Sequence, residues 1–146
     1  MPVLHNVDAN FRIKTSATGI IKYYGTFSTT NVGFRYPDID SAGMKDAFSL
    51  YNVNMYHNLS WKEYVGKGWK LNVCASYSTN QDDISNEFQD ENDKKQVIST
   101  DPLYAYKNFG LVNRGQYANA KVVLEKRLNG LSAVRFGAEY NHSDEK

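Results

Sequence analysis

The stretch from Gly115 to Asn141 alternates with a period of two on both sides of a turn, and this constrains the chain more than any other feature. Ala118, Ala120, Val122 and Leu124 fall on one side of the first run, opposite Tyr117, Asn119, Lys121, Val123 and Glu125. In the second run Val134, Phe136, Ala138 and Tyr140 oppose Arg135, Gly137, Glu139 and Asn141. A period of two is the mark of a strand with one apolar and one polar face. A three-residue loop, Leu128-Asn129-Gly130, is expected between the runs. It sets Leu124 across from Val134 on the apolar side and puts Gly130 where such loops need a left-handed residue. The polar side then carries Lys121, Glu125, Arg135 and Glu139 as diagonal neighbours of alternating sign.

The same alternation recurs upstream. Phe11, Ile13, Ala17, Ile21, Tyr23 and Phe27 share one parity, and Arg12, Lys14, Lys22 and Tyr24 the other. Tyr51, Val53, Met55, Leu59 and Trp61 alternate with Asn52, Asn54, Tyr56, Asn58 and Ser60, with His57 a polar intruder on the apolar side. Trp69, Leu71, Val73, Ala75 and Tyr77 alternate with Lys70, Asn72, Cys74, Ser76 and Ser78. The reading is therefore five long strands, near 10–28, 47–61, 69–79, 115–127 and 131–142, in an all-β antiparallel up-and-down meander. The first either runs unbroken, far beyond the usual ~5–6 residues, or breaks into two near Gly19.

Between the strands lie two long stretches, 29–46 and 80–114, and two short connections. Pro37-Asp38 and Ala42-Gly43 are turn signals in the first long stretch. Asp38 and Asp40 within it are too few ligands for a cation site, and a solvated loop is the expectation. The second carries the charged run QDDISNEFQDENDKKQ, with a short surface helix expected near Asn86 to Val97, and aromatics at Tyr104, Tyr106 and Phe109. Short turns on one side and long loops on the other is the asymmetry of an outer-membrane barrel, the long loops facing out.

Composition narrows the alternatives. The net charge of +1 gives no footing for a nucleic-acid partner, and Cys74, the one cysteine, forms no internal disulfide. On its polar face Cys74 reads as a small filler. The histidines and carboxylates show no metal-ligand spacing, there is no nucleophile elbow or phosphate loop, and neither catalysis nor a cofactor is expected. Eleven tyrosines, seven phenylalanines and two tryptophans make the chain rich in aromatics. Trp61 and Trp69 sit at one end of an apolar band, Tyr51 and Tyr77 toward the other, as interfacial girdles do in membrane barrels. The apolar sides are expected to be free of Asp, Glu, Lys and Arg, since a charge near the bilayer midplane costs about 2–4 kcal/mol. A soluble sandwich would also keep charge off its inner faces. The first ten residues lack the basic and apolar regions of a signal peptide, and the chain reads as part of something longer.

The wording of the strands carries a resemblance. AKVVLEKRLNGLSAVRFGAEYN is similar to the mid-barrel segment of TonB-dependent outer-membrane receptors of the kind abundant in Bacteroidetes. TGIIKYYGTFSTTNVGFRYPDID and NLSWKEYVGKGWKLNVCASYSTNQDDISNE resemble the stretches just upstream in that family. The resemblance covers nearly the whole chain. It implies one segment of a transmembrane β-barrel of about 22 strands in the outer membrane of a Gram-negative bacterium, whose N-terminal plug domain is absent here. Such receptors import scarce nutrients (metal chelates, cobalamin or glycans) with energy passed through TonB. The implied partners are outer-membrane lipid, the rest of the barrel, the plug, and TonB through the missing plug segment. On this reading Lys14, Lys22, Lys121, Glu125, Arg135 and Glu139 face the lumen, and Tyr104, Tyr106 and Phe109 contact ligand from an outer loop. The alternative from another class is a soluble all-β carbohydrate-binding module, whose tyrosines would stack on sugars.

Overall fold

A computed structural model describes residues 2–97, 104, 106–130 and 132–146. Six strands form one antiparallel sheet in chain order: β1 (Val3–Lys14), β2 (Ile20–Pro37), β3 (Lys45–Gly66), β4 (Trp69–Gln89), β5 (Phe109–Asn129) and β6 (Ser132–Glu145). β1 and β6 are its two edges, and the sheet is an open meander.

The expected fold class stands, with six strands in place of five. The run 10–28 is two strands, broken by a turn at 15–19. That turn lacks Asn and Pro and hides inside an alternating pattern. A distant residue holds it: Glu63 on β3 accepts hydrogen bonds from Thr15 Oγ1 (3.0 Å), Ser16 Oγ (2.7 Å) and Thr18 Oγ1 (3.1 Å). A Cβ at Gly19 would lie 1.8 Å from the Glu63 carboxylate, which would have to shift and loosen its hold on the turn.

The long loops are shorter than their sequence suggests. β2 continues to Pro37 and β3 begins at Lys45, so the expected loop 29–46 contracts to 38–44. β4 continues to Gln89, and 80–114 contracts to 90–108. Asn86 to Gln89, expected to begin a helix, are strand residues, and Gln89 pairs with Lys95 across a tight turn. The connection after β3 is the two-residue turn Lys67-Gly68, with φ of 48° and 75°. Positive φ at both central residues is the hairpin geometry that matches strand twist, and Gly68 supplies the position where a Cβ would stand 3.2 Å from the Arg127 carbonyl oxygen.

The last hairpin also differs in register. Leu124 pairs with Phe136 and Val122 with Ala138, two residues from the expected alignment, and Asn129 pairs with Ser132 after an irregularity at Arg127/Asn129. The three-residue loop 128–130 is therefore not formed; the strands run on to Asn129 and resume at Ser132, and Leu131 lies outside the described residues. A slip of two leaves every side chain on its expected face. It converts the diagonal charges into direct pairs, Lys121 with Glu139 and Glu125 with Arg135.

The chain divides into two compact units. The turn unit comprises 6–27, 54–79 and 115–146; the loop unit comprises 1–5, 28–53 and 80–114. In the turn unit one face carries Phe11, Leu59, Val122, Leu124, Val134, Phe136 and Tyr140, all exposed. Phe11 stacks on Tyr23 with centroids 4.8 Å apart. His57 on this face is matched by Tyr23, whose hydroxyl lies 2.6 Å from its Nδ1. In the loop unit Phe88 is fully buried, and Asp38, Asp46, Asn86 and Gln89 are buried with it.

Candidate functional site

The loop unit builds its centre from residues far apart in the chain. Asp46 lies at the start of β3, Asn86 and Phe88 near the end of β4, Asp38 and Ser41 in 38–44, and Tyr104, Lys107 and Asn108 precede β5. The Lys107 ammonium bonds the buried Asp38 carboxylate and stands 3.8 Å from Asp46 Oδ2. It also lies 5.3 Å from the Phe88 ring centroid and 5.8 Å from that of Tyr104. Two carboxylates and two aromatic faces thus surround one cation, an arrangement in which desolvation strengthens both kinds of attraction.

Hydrogen bonds fix the segment that carries Lys107. Asn86 Nδ2 donates to the Lys107 carbonyl (2.7 Å) and to Asp46 Oδ1 (2.9 Å). Phe88 N–H donates to Asn108 Oδ1 (3.1 Å), and Asn108 Nδ2 donates to the Gln96 carbonyl (2.9 Å). The Tyr104 and Ser41 hydroxyls are 2.6 Å apart. Asn108 therefore stands in for a strand partner at the end of β4, where an open backbone donor would otherwise go unpaired. Asn86 Oδ1 is buried without a partner among the described residues.

A second set orders the turn at 90–96. The Asp90 carboxylate accepts from the backbone N–H groups of Lys94 (3.0 Å) and Asn92 (2.8 Å) and from Gln96 Nε2 (2.9 Å). These donors favour the ionised form and hold Asp90 below the usual carboxylate range, the Lys94 N–H foremost. Asp93, at φ 61°, is lowered in the same direction, first by its 2.6 Å hydrogen bond from Lys45 and then by Arg35.

On the turn unit's polar face, Lys121 Nζ bonds Glu139 Oε2 at 2.9 Å, and Arg135 grips Glu125 Oε2 through Nε (3.0 Å) and Nη2 (2.6 Å). Asn119 Nδ2 reaches Glu139 (2.9 Å) and Asn141 (2.5 Å). Four of the six expected lumen residues therefore form one ladder across β5 and β6. Lys14 and Lys22 stand apart on β1 and β2, the first exposed, the second half-buried. Cys74 is half-buried on the same face, with Asn58 Nδ2 3.7 Å from its sulfur.

The three expected ligand aromatics separate. Tyr104 is half-buried and spent on Ser41, Phe88 and Lys107, so it serves the loop unit's interior. Tyr106 is 81% exposed, and Phe109 is exposed at the first position of β5. Asp38 does not belong to a solvated loop. It is buried, and its cation is Lys107; Asp40 donates its N–H to Asp38 Oδ1 at 2.8 Å. Among the described residues no group of three or more His, Cys, Asp or Glu is placed to hold a metal ion.

Within the expected strand 115–127 a charge falls on the apolar side. Lys126 shares the parity of Val122 and Leu124, and its ammonium sits 5.1 Å over the Trp69 ring and donates to the Lys67 carbonyl. Sequence reasoning missed Lys107, Asp46, Asn86 and Phe88 as a group. Their spacing of tens of residues leaves no local signature, and only the fold brings them together. No protein-family model matches this chain, and no curated protein matches it either.

Proposed function

We propose that this chain is a segment of the transmembrane β-barrel of a TonB-dependent outer-membrane transporter, which imports a scarce nutrient such as a metal chelate, cobalamin or a glycan. The observation that carries the reading is the pair of faces on the turn unit. Val122, Leu124, Val134 and Phe136 are exposed on one face, while Lys121–Glu139 and Glu125–Arg135 are paired on the other. An exposed apolar face suits hydrocarbon, and internally paired charges suit an aqueous or plugged interior. Strands of 18–22 residues in β2 to β5 exceed the ~9–11 that a bilayer needs, so they extend beyond it.

In this assignment further strands of the same protein pair with β1 and β6, the two open edges. Lys14, Lys22, Lys121, Glu125, Arg135 and Glu139 line the interior against a plug domain, which is the part that meets TonB. Tyr106 and Phe109 are the aromatics left free to meet incoming ligand, while Tyr104 fixes the segment that presents them. The test is fractionation of the full-length protein in its native cell. Recovery in the outer-membrane fraction, with heat-modifiable migration on gels, is the expected result. A soluble protein that needs no detergent would overturn the assignment and restore the carbohydrate-binding module.

A further inference from the structure

We infer that the turn end of this segment binds the phosphate of an anionic phospholipid headgroup through the ammonium groups of Lys67 and Lys126. The inference rests on the membrane reading above and adds a partner to it.

The turn unit holds eleven basic and six acidic residues, a net charge of +5. Its excess is concentrated beside the short turns: Lys62, Lys67, Lys70, Lys126 and Arg127 face only Glu63 and Glu125 there. The two carboxylates leave a basic excess there, and each has other partners. Glu63 is engaged by the hydroxyls of Thr15, Ser16 and Thr18. Glu125 is gripped twice by Arg135 and also feels Lys70 and Arg127.

Position selects two of these cations. Lys126 lies on the apolar face, one turn-ward step from Leu124, with its head beside Trp69. That is snorkelling, with the ring and the ammonium together marking a membrane–water boundary. The ammonium spends one donor on the Lys67 carbonyl, which leaves two. Lys67 sits at the tip of the positive-φ turn, exposed, directly joined to Lys126 through that bond. A cation at the edge of an apolar band, bonded to the backbone of a second, exposed lysine, suits the phosphodiester of phosphatidylglycerol or cardiolipin, whose acyl chains would lie along Leu124 and Leu71. Short turns face the phospholipid leaflet in barrels of this kind.

The experiment uses the full-length protein purified in detergent, with POPG or POPC added and lipid binding followed by native mass spectrometry and thermal unfolding. POPG is expected to bind and raise the unfolding temperature more than POPC. A K67Q/K126Q double variant is expected to lose about 30-fold in POPG affinity, roughly fivefold per lysine. A K94Q/K95Q variant in the loop unit serves as the control and keeps full affinity. Equal affinity in the K67Q/K126Q variant, or no preference for POPG over POPC, overturns the inference. Should that variant fail to fold, a headgroup-photoreactive phosphatidylglycerol applied to the wild type decides. Cross-links within 62–70 and 126–134 support the site, and cross-links elsewhere overturn it. The fractionation experiment fails separately: a protein found in the outer membrane but indifferent to POPG loses only the lipid site.

Discussion

The two units of this chain use the same strands differently. The turn unit keeps most of its apolar side chains on one parity: Ile21, Tyr23 and Phe27 on β2 and Leu71, Val73 and Tyr77 on β4, of which Phe27 and Tyr77 are exposed and the others half-buried. In the loop unit the apolar residues of the same strands change parity: Val32, Phe34 and Tyr36 on β2, Ile84 and Phe88 on β4. There Phe34 stacks on Phe48 (4.9 Å) and Phe88 is buried beneath Tyr104 and Lys107. The charges differ in sign as well, six basic against ten acidic residues in the loop unit. One unit leaves its apolar face uncovered; the other has assembled a small centre of its own.

Phe88→Ala is the sharpest way to break this contrast. Truncating a fully buried aromatic costs about 3–5 kcal/mol, and the loss is expected within the loop unit alone. Amide exchange should accelerate at Phe88 and Gln96, while Lys121 to Glu125 keep their protection. Uniform acceleration would mean that the units do not differ in kind. Val122→Lys tests the other side. In hydrocarbon it should cost about 2–4 kcal/mol by unfolding in lipid or detergent, and next to nothing if that face is wet.

Tyr23→Phe is a smaller probe. It removes the only described partner of His57 Nδ1 on the apolar face and is expected to cost about 1 kcal/mol in the same unfolding assay. The smallest effect concerns Asp90. Its carboxylate is lowered in the folded chain, so the order it contributes is complete above the ordinary value of about 3.9 and is lost as pH falls through the lowered one. Amides of Asn92 and Lys94 should exchange faster in Asp90→Asn at neutral pH, and in the wild type only in strong acid.

Much of the turn unit was legible because period-two alternation is a local signal. The faces of Lys121, Glu125, Arg135 and Glu139 follow from it directly, and even a register error of two residues preserves them. What escaped was whatever depends on remote partners. The alternation left the first run either unbroken or broken near Gly19, and the residue that holds the break at 15–19 is Glu63, some 45 residues away. The strand ends at 29–37 and 80–89 read as loop because the alternation changes parity there and polar residues occupy both faces in runs such as Gln81-Asp82-Asp83. Ile84 and Phe88, four apart, mimic a helical spacing that the strand pairing overrides. Lys107 gave no signal at all, since its meaning comes from Asp38 and Asp46 across the fold.

The order of the sheet has a consequence for how the chain reaches this state. Every strand pairs with its neighbour in sequence, so each hairpin closes without waiting for a distant segment. Contact order is low for an all-β architecture, and the entropy of bringing ends together is small at Lys67-Gly68, where only two residues intervene. Growth by successive hairpins follows, with β3–β4 the natural nucleus and both rims remaining available for the next pair to add.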